Sequence, residues 1–296
     1  TVGDRDNFLT NVSGDGSKLL LGSAVEESNI WGVEIEKGAE SVVASDIDFE
    51  YWPSVSPDSQ TIAYQTLKNF SQGHNSNSLI VLKALNSSDL PRVLIKEGYL
   101  TKWSPDGQRL AFMHSSGIKP SLLTIETVGG EERRLVEGKI WSVEASILPH
   151  TRDLANNYDW MPDSHHIIYS METNGVSNLW MASTANSTNT PLTTQSDANL
   201  VTQNPYCSAD GKRVAYLTRA KTAVESGKFK SGVWIATVAT QEPKTLFQTE
   251  NTVRLLGWSA TEQELMLAVY KARTGIGQAE VELLSINAQT GRSEER

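Results

Sequence analysis

Residues 101–117 read TKWSPDGQRLAFMHSSG, and this stretch decides the fold. Counting from Asp106, an apolar Trp103 lies three residues before it, with Leu110 and Phe112 four and six residues after. Apolar positions two apart are strand periodicity, and here they flank Ser104-Pro105-Asp106-Gly107. Proline presets φ for a turn, aspartate bonds nearby backbone amides, and glycine accepts the left-handed position that closes a hairpin. The stretch therefore predicts strand, tight turn, strand.

The same phrase returns along the chain. It reads Ser13-Gly14-Asp15-Gly16, Ser56-Pro57-Asp58-Ser59, Met161-Pro162-Asp163-Ser164, Ser208-Ala209-Asp210-Gly211 and, most worn, Ser259-Ala260-Thr261-Glu262. The position before the turn is filled by Val12, Val55, Trp160, Cys207 and Trp258 in the other copies. The position six after Asp is Leu21, Tyr64, Tyr169, Tyr216 and Leu267. A third strand follows in every copy, as in Ser78-Leu79-Ile80-Val81-Leu82 and Asn178-Leu179-Trp180-Met181. A short fourth closes the unit, as in Arg134-Leu135-Val136 and Lys244-Thr245-Leu246. Six repeats of four strands without helical periodicity predict an all-β fold, a six-bladed β-propeller of four-stranded antiparallel blades. The expected organisation is one domain over 1–296, with blades near 7–48, 49–97, 98–155, 156–201, 202–252 and 253–296.

The stretch at 101–117, running on to LLTIETVGGEERRL, resembles the WD40-like (PD40) repeat of the TolB and tricorn propellers, and SADGKRVAY at 208–216 resembles a variant of it. The resemblance covers all six blades and is specific for fold. It implies a non-catalytic module that binds a protein, peptide or small ligand, the sensor or interaction part of a larger bacterial protein such as a membrane-anchored regulator or kinase. The alternatives it implies are the gating propeller of a prolyl-oligopeptidase-like hydrolase and a TolB-like periplasmic scaffold. An extracytoplasmic location goes with these readings.

Bulk composition narrows the partners. The 296 residues carry a net charge of −9, which argues against nucleic acid and against docking on anionic lipid. No apolar stretch reaches the length of a membrane span, so no direct membrane insertion is expected. One cysteine, Cys207, excludes an internal disulfide and a cysteine-based zinc site. The chain opens at Thr1 without methionine, which suggests a processed or excised piece.

The repeat also says where chemistry is absent and where binding belongs. Asp15, Asp58, Asp106, Asp163 and Asp210 read as turn residues rather than catalytic or calcium-binding carboxylates. The five histidines lack ligand spacing, and the adjacent pair His165-His166 would point to opposite faces of a strand. No nucleophile elbow, P-loop or dinucleotide pattern occurs, so no catalytic residue, metal or cofactor is expected. The long insertions, 67–77, 141–157, 219–231 and 271–278, all join strands at the blade ends opposite the Pro-Asp-Gly turns. Binding residues gather on such loops. The candidates are Lys68, His74, Trp141, His150, Arg152, Asp153, Lys221, Lys228 and Lys230. Tyr51, Trp52, Tyr99, Tyr158 and Tyr206, at the mouths of the first strands, would suit a peptide or sugar ring.

Overall fold

The structure is a computed structural model. It describes residues 6–12, 18–24, 28–34, 37–45, 49–67, 78–87, 89–114, 120–138, 140, 157–221, 231–271 and 281–295. Backbone contacts divide the chain into two compact units, Thr1–Glu137 and Gly138–Arg296.

The first unit holds three blades. They are β1 (Asp6–Val12), β2 (Lys18–Ala24), β3 (Ser28–Glu34) and β4 (Glu40–Ala44); then β5 (Phe49–Val55), β6 (Thr61–Leu67), β7 (Ser78–Ala84) and β8 (Arg92–Lys96); then β9 (Gly98–Trp103), β10 (Arg109–His114), β11 (Ser121–Glu126) and β12 (Arg133–Glu137). The second unit holds the other three. They are β13 (Tyr158–Trp160), β14 (His166–Thr173), β15 (Val176–Ser183) and β16 (Asn189–Pro191); then β17 (Leu200–Cys207), β18 (Arg213–Ala220), β19 (Ser231–Thr237) and β20 (Pro243–Thr249); then β21 (Thr252–Trp258), β22 (Glu264–Tyr270), β23 (Val281–Asn287) and β24 (Ser293–Glu295). Each sheet runs in simple sequence order with antiparallel neighbours. The fold is all-β, with six four-stranded antiparallel propeller blades.

Second and third strands are the most buried among the described residues, because each has sheet neighbours on both sides. Tyr64, Phe112 and Tyr169 are fully buried and Tyr216 almost so, as the apolar positions after each turn require. In the first unit Phe112 packs with Ile80, Leu82, Ile95, Leu110 and Leu123 between the second and third blades. In the second unit Leu217, Val233, Leu255, Leu265 and Leu267 pack between the fifth and sixth. Fourth strands are mostly exposed; β16 and β24 are three residues each and exposed throughout.

First strands depart from ideal pairing in a way the periodicity did not announce. Register slips between Tyr51 and Ser54, and between Gln203 and Tyr206, so two residues oppose one across the ladder. In β9 and β10 the slip falls between Ala111 and Met113. Trp52, Leu100 and Asn204, each six residues before its repeat aspartate, take φ of 48°, 53° and 52°. These are β-bulges. The partner residues they straddle are Tyr64, Phe112 and Tyr216. The extra residue thus sits opposite the large ring of the second strand.

Candidate functional site

The turns consume their own polar groups. Ser56 and Ser104 Oγ donate to Oδ1 of Asp58 and Asp106 at 2.5 Å, and Ser208 Oγ donates to Asp210 at 2.6 Å. The same oxygens accept the amides of Gln60, Gln108 and Lys212 at 3.0 Å. Each serine oxygen in turn accepts the amide that opens the second strand, at Thr61, Arg109 and Arg213. Gly107 and Gly211 take φ of 70° and 68°, and Ser59, Ser164 and Glu262 adopt the same left-handed form without glycine. Asp15 lies outside the described residues.

In the fourth blade Met161 replaces the serine, and a histidine takes over. His166 Nδ1 lies 2.7 Å from Asp163 Oδ2, while the amides of His165 and His166 donate to Oδ1. His165 lies in the turn rather than on the strand, so the two imidazoles do not flank a strand as the sequence suggested. As after the other described repeat turns, the second strand starts three residues after the repeat position, here at His166, with the left-handed Ser164 inside the turn.

The serine hydroxyl, then the backbone amide, hold the carboxyls of Asp58 and Asp210 below the ordinary aspartate range. Burial would raise Asp163, but its bonds from His166 and the two amides prevail and lower it. A depressed folded value gives stability that is complete above the unfolded value and lost as pH falls through the folded one. The urea midpoint should therefore drop on acidification below about pH 4. Ser56→Ala combined with Ser208→Ala should flatten that drop; an unchanged acid slope in the double variant would refute the assignment.

Adjacent blades are tied by two recurring devices. Trp103 Nε1 donates to the Ser54 carbonyl at 3.0 Å, and Trp258 Nε1 to the Tyr206 carbonyl at 3.0 Å. Both acceptors stand four residues before the preceding blade's repeat aspartate. In the fifth blade, where Cys207 replaces tryptophan, its amide instead donates to Asp159 Oδ2 at 2.9 Å. The second device starts from a serine in the first two residues of a third strand. Gln65 Nε2 donates to Ser78 Oγ at 2.6 Å, and Ser78 Oγ donates to the Gly98 carbonyl of the next blade at 2.6 Å. At the equivalent seam, Ser177 Oγ accepts the Thr202 amide at 3.0 Å and lies 2.9 Å from Thr202 Oγ1. Ser170 Oγ donates to the Thr202 carbonyl. Buried hydrogen-bond networks of this kind fix which strands meet.

Of the sequence candidates for binding, Lys221 is described. Its Nζ lies 2.8 Å from Glu172 Oε2 and donates to the Gly175 carbonyl at 2.8 Å, so it ties the chain just after β18 to the β14–β15 hairpin. Lys68, His74, Trp141, His150, Arg152, Asp153, Lys228 and Lys230 lie outside the described residues. Of the five aromatics, three come together. Tyr51 and Trp52 ring centres are 5.7 Å apart, and those of Trp52 and Tyr99 are 6.5 Å apart. Burial raises the Tyr99 hydroxyl above the ordinary phenol value. Tyr158 is instead fully buried, opposite Tyr169 in its own sheet, and Tyr206 packs on the core between the fifth and sixth blades.

A concavity that the sequence did not signal lies at the turn end of the first unit. It encloses about 550 Å³ between the second and third blades, and Asp58, Thr61, Leu90, Arg92, Trp103 and Asp106 line it. Among the described residues no three His, Cys, Asp or Glu side chains gather as a metal site. Among them, too, no helix is long and apolar enough to cross a membrane.

The fold has many solved counterparts. Putative TolB from Agrobacterium tumefaciens is similar at 20% identity and a TM-score of 0.59, over 80% of this chain and 79% of that one. TolB from Acinetobacter baumannii is similar at 18% identity and 0.61, over 97% of this chain but only 61% of its own length. An oligogalacturonate lyase from Vibrio parahaemolyticus reaches 0.63 at 12% identity, over 100% of this chain and 79% of the enzyme. One architecture thus serves proteins of different kinds, enzymes among them, and at these identities the likeness speaks for fold alone. No curated protein matches the chain. Residues 40–252 match the family described as TolB beta propeller domain, and with most of its length inside that match the chain belongs to this PD40 family.

Proposed function

We propose that the chain is a non-catalytic binding propeller, a single domain over 1–296, that holds a protein or peptide partner at the blade ends opposite the repeat turns. One observation carries this reading: the asymmetry of the strand connections. At the turn end the links from first to second strand are short and alike, at 56–60, 104–108, 161–165, 208–212 and 259–263. At the other end β6 and β7 are joined through 68–77, β18 and β19 through 221–230, and β22 and β23 through 271–280. Chain length is thereby added at one end of the blades, over a scaffold whose polar groups are spent on turns and seams. That is the usual division between framework and binding loops. The proposed contacts are Lys68 and His74 in the first unit, and Trp141, His150, Arg152, Asp153, Lys228 and Lys230 in the second. Lys221, the remaining candidate, stands where its loop begins and is paired with Glu172. An extracytoplasmic place in a larger bacterial regulator or TolB-like assembly fits this role.

Peptides selected from a random phage library on the immobilised chain provide the test. Combining His74→Ala, Arg152→Ala and Lys228→Ala should weaken the selected peptides at least tenfold and leave the unfolding midpoint in place. Asp210→Ala should do the reverse. Undiminished binding by the triple variant would overturn the loop assignment, and turnover of peptide or oligosaccharide substrates by this chain would overturn the non-catalytic one.

A further inference from the structure

The repeat supplies its own template for what the concavity between the second and third blades accepts. At the seam between the fifth and sixth blades, Arg213 stands three residues after Asp210. Its guanidinium carbon lies 4.6 Å from the centre of the Trp258 ring. Its Nη2 donates to the Glu262 carbonyl at 3.0 Å and lies 3.9 Å from Glu262 Oε2. Trp258 stands three residues before its own repeat position, and its indole N–H is bonded to the preceding blade.

The seam between the second and third blades has the same tryptophan, Trp103, bonded backward in the same way. At the place of Arg213, however, stands Thr61. A short side chain replaces a long cationic one, and the space is the cavity of about 550 Å³ lined by Thr61 and Trp103. Gly107 stands where the other seam has Glu262, so the carboxylates offered to a planar cation here are those of the turns. Asp58 and Asp106 both line the cavity, against one cation, Arg92, whose Nη2 is committed to the Thr127 carbonyl at 2.6 Å. Asp106 Oδ1 is engaged by Ser104, and its Oδ2 is 3.8 Å from Arg109. Carboxylates around an aromatic face are the chemistry that recognises guanidinium.

The rim adds one apolar contact: Leu90, in the lining, is 89% exposed. An aromatic pocket with an aliphatic side chain at its mouth matches the way interfaces bury an arginine anchor.

We infer that this notch is a docking site for an arginine side chain of a protein partner, its guanidinium stacked on Trp103 beside the turn carboxylates and its apolar neighbours packed on Leu90. The site lies at the turn end of its blades, so it stands apart from the loop surface proposed above.

The probe is the peptide acetyl-Gly-Leu-Arg-Leu-Gly-amide, followed through the Trp103 indole N–H resonance, which Trp103→Phe assigns. A saturable shift is expected with the arginine peptide. Binding at least tenfold weaker is expected when citrulline, equal in shape but uncharged, replaces arginine. The deciding variant is Thr61→Arg, which transplants the repeat's own arginine into the notch. It keeps the backbone bonds of Thr61 with Ser56. It should abolish peptide binding while the unfolding midpoint stays level or rises. No saturable shift in the native chain, equal binding of the citrulline peptide, or undiminished binding by a folded Thr61→Arg chain would each overturn the inference. Loop variants at 74, 152 and 228 should leave this binding untouched, so the two readings fail separately.

Discussion

Replacing Phe112 with alanine is expected to lower the stability of the chain by about 3–5 kcal/mol, the range for losing a buried aromatic ring. Phe112 is fully buried in β10, and its ring fills the space among Ile80, Leu82, Ile95, Leu110 and Leu123. Two effects add. The ring loses its transfer free energy, and the bulge at Leu100 and Thr101 loses the side chain it straddles. Strands bonded on both sides cannot slide inward to fill the gap, so the cavity term should stay near its full size. Urea unfolding with tryptophan fluorescence would read the change as a lower midpoint. Phe112→Leu, which keeps most of the volume, should cost less than half as much. Equal losses in the two variants would show that the ring's size is not what the site requires.

The second large effect is expected at Gly98, the first residue of β9. A Cβ placed there would lie 2.5 Å from Cδ1 of Ile80, 3.0 Å from Cγ2 of Ile95 and 3.2 Å from the Phe112 ring. Ile80 is fully buried, so it has little room to turn away. Gly98 also receives the Ser78 hydroxyl on its carbonyl, which fixes how close β9 comes to β7. Gly98→Ala should therefore cost about 1–3 kcal/mol through overpacking. Because the nearest atom is the terminal methyl of Ile80, Ile80→Val should be worth more in the Gly98→Ala background than in the native one. A double-mutant cycle checks this, and simple additivity of the two changes would place the strain elsewhere.

Local features of the fold were legible in the sequence, and features made across blades were not. The strand–turn–strand unit has fixed internal spacing, so Trp103, Asp106, Leu110 and Phe112 announced it by their offsets alone. The turn chemistry followed, down to the left-handed residue after aspartate. The serine clasp escaped because insertions separate it from the turn by different lengths. Ser78 and Ser177 are the first and second residues of their third strands, but they lie twenty and fourteen residues after their repeat aspartates. Counted from the third strand instead, serine recurs at Ser28, Ser78, Ser121, Ser177 and Ser231. The bulges escaped because the alternation continues past them in sequence while the pairing shifts. The arginine notch escaped for a different reason. Thr61 is unremarkable by itself, and its shortness matters only once folding brings Trp103 of the next blade alongside. Of the loop candidates, Lys221 shows what residue type alone leaves out, since its charge also pairs within the chain.

The outermost strands carry a consequence for how the molecule behaves in company. A fourth strand has a sheet neighbour on one side only, and its other side offers backbone groups to any strand that arrives from another molecule. Here those borders are defended. β16 ends in Pro191 and β20 begins with Pro243, neither of which can donate a ladder hydrogen bond. β8 carries Arg92 and Lys96, β12 carries Arg133, Arg134 and Glu137, and β24 ends in Glu294 and Glu295. An incoming strand would meet short segments, missing donors and like charges. A fold with so many sheet borders can thus stay dispersed at high concentration and leave self-association to surfaces built for contact.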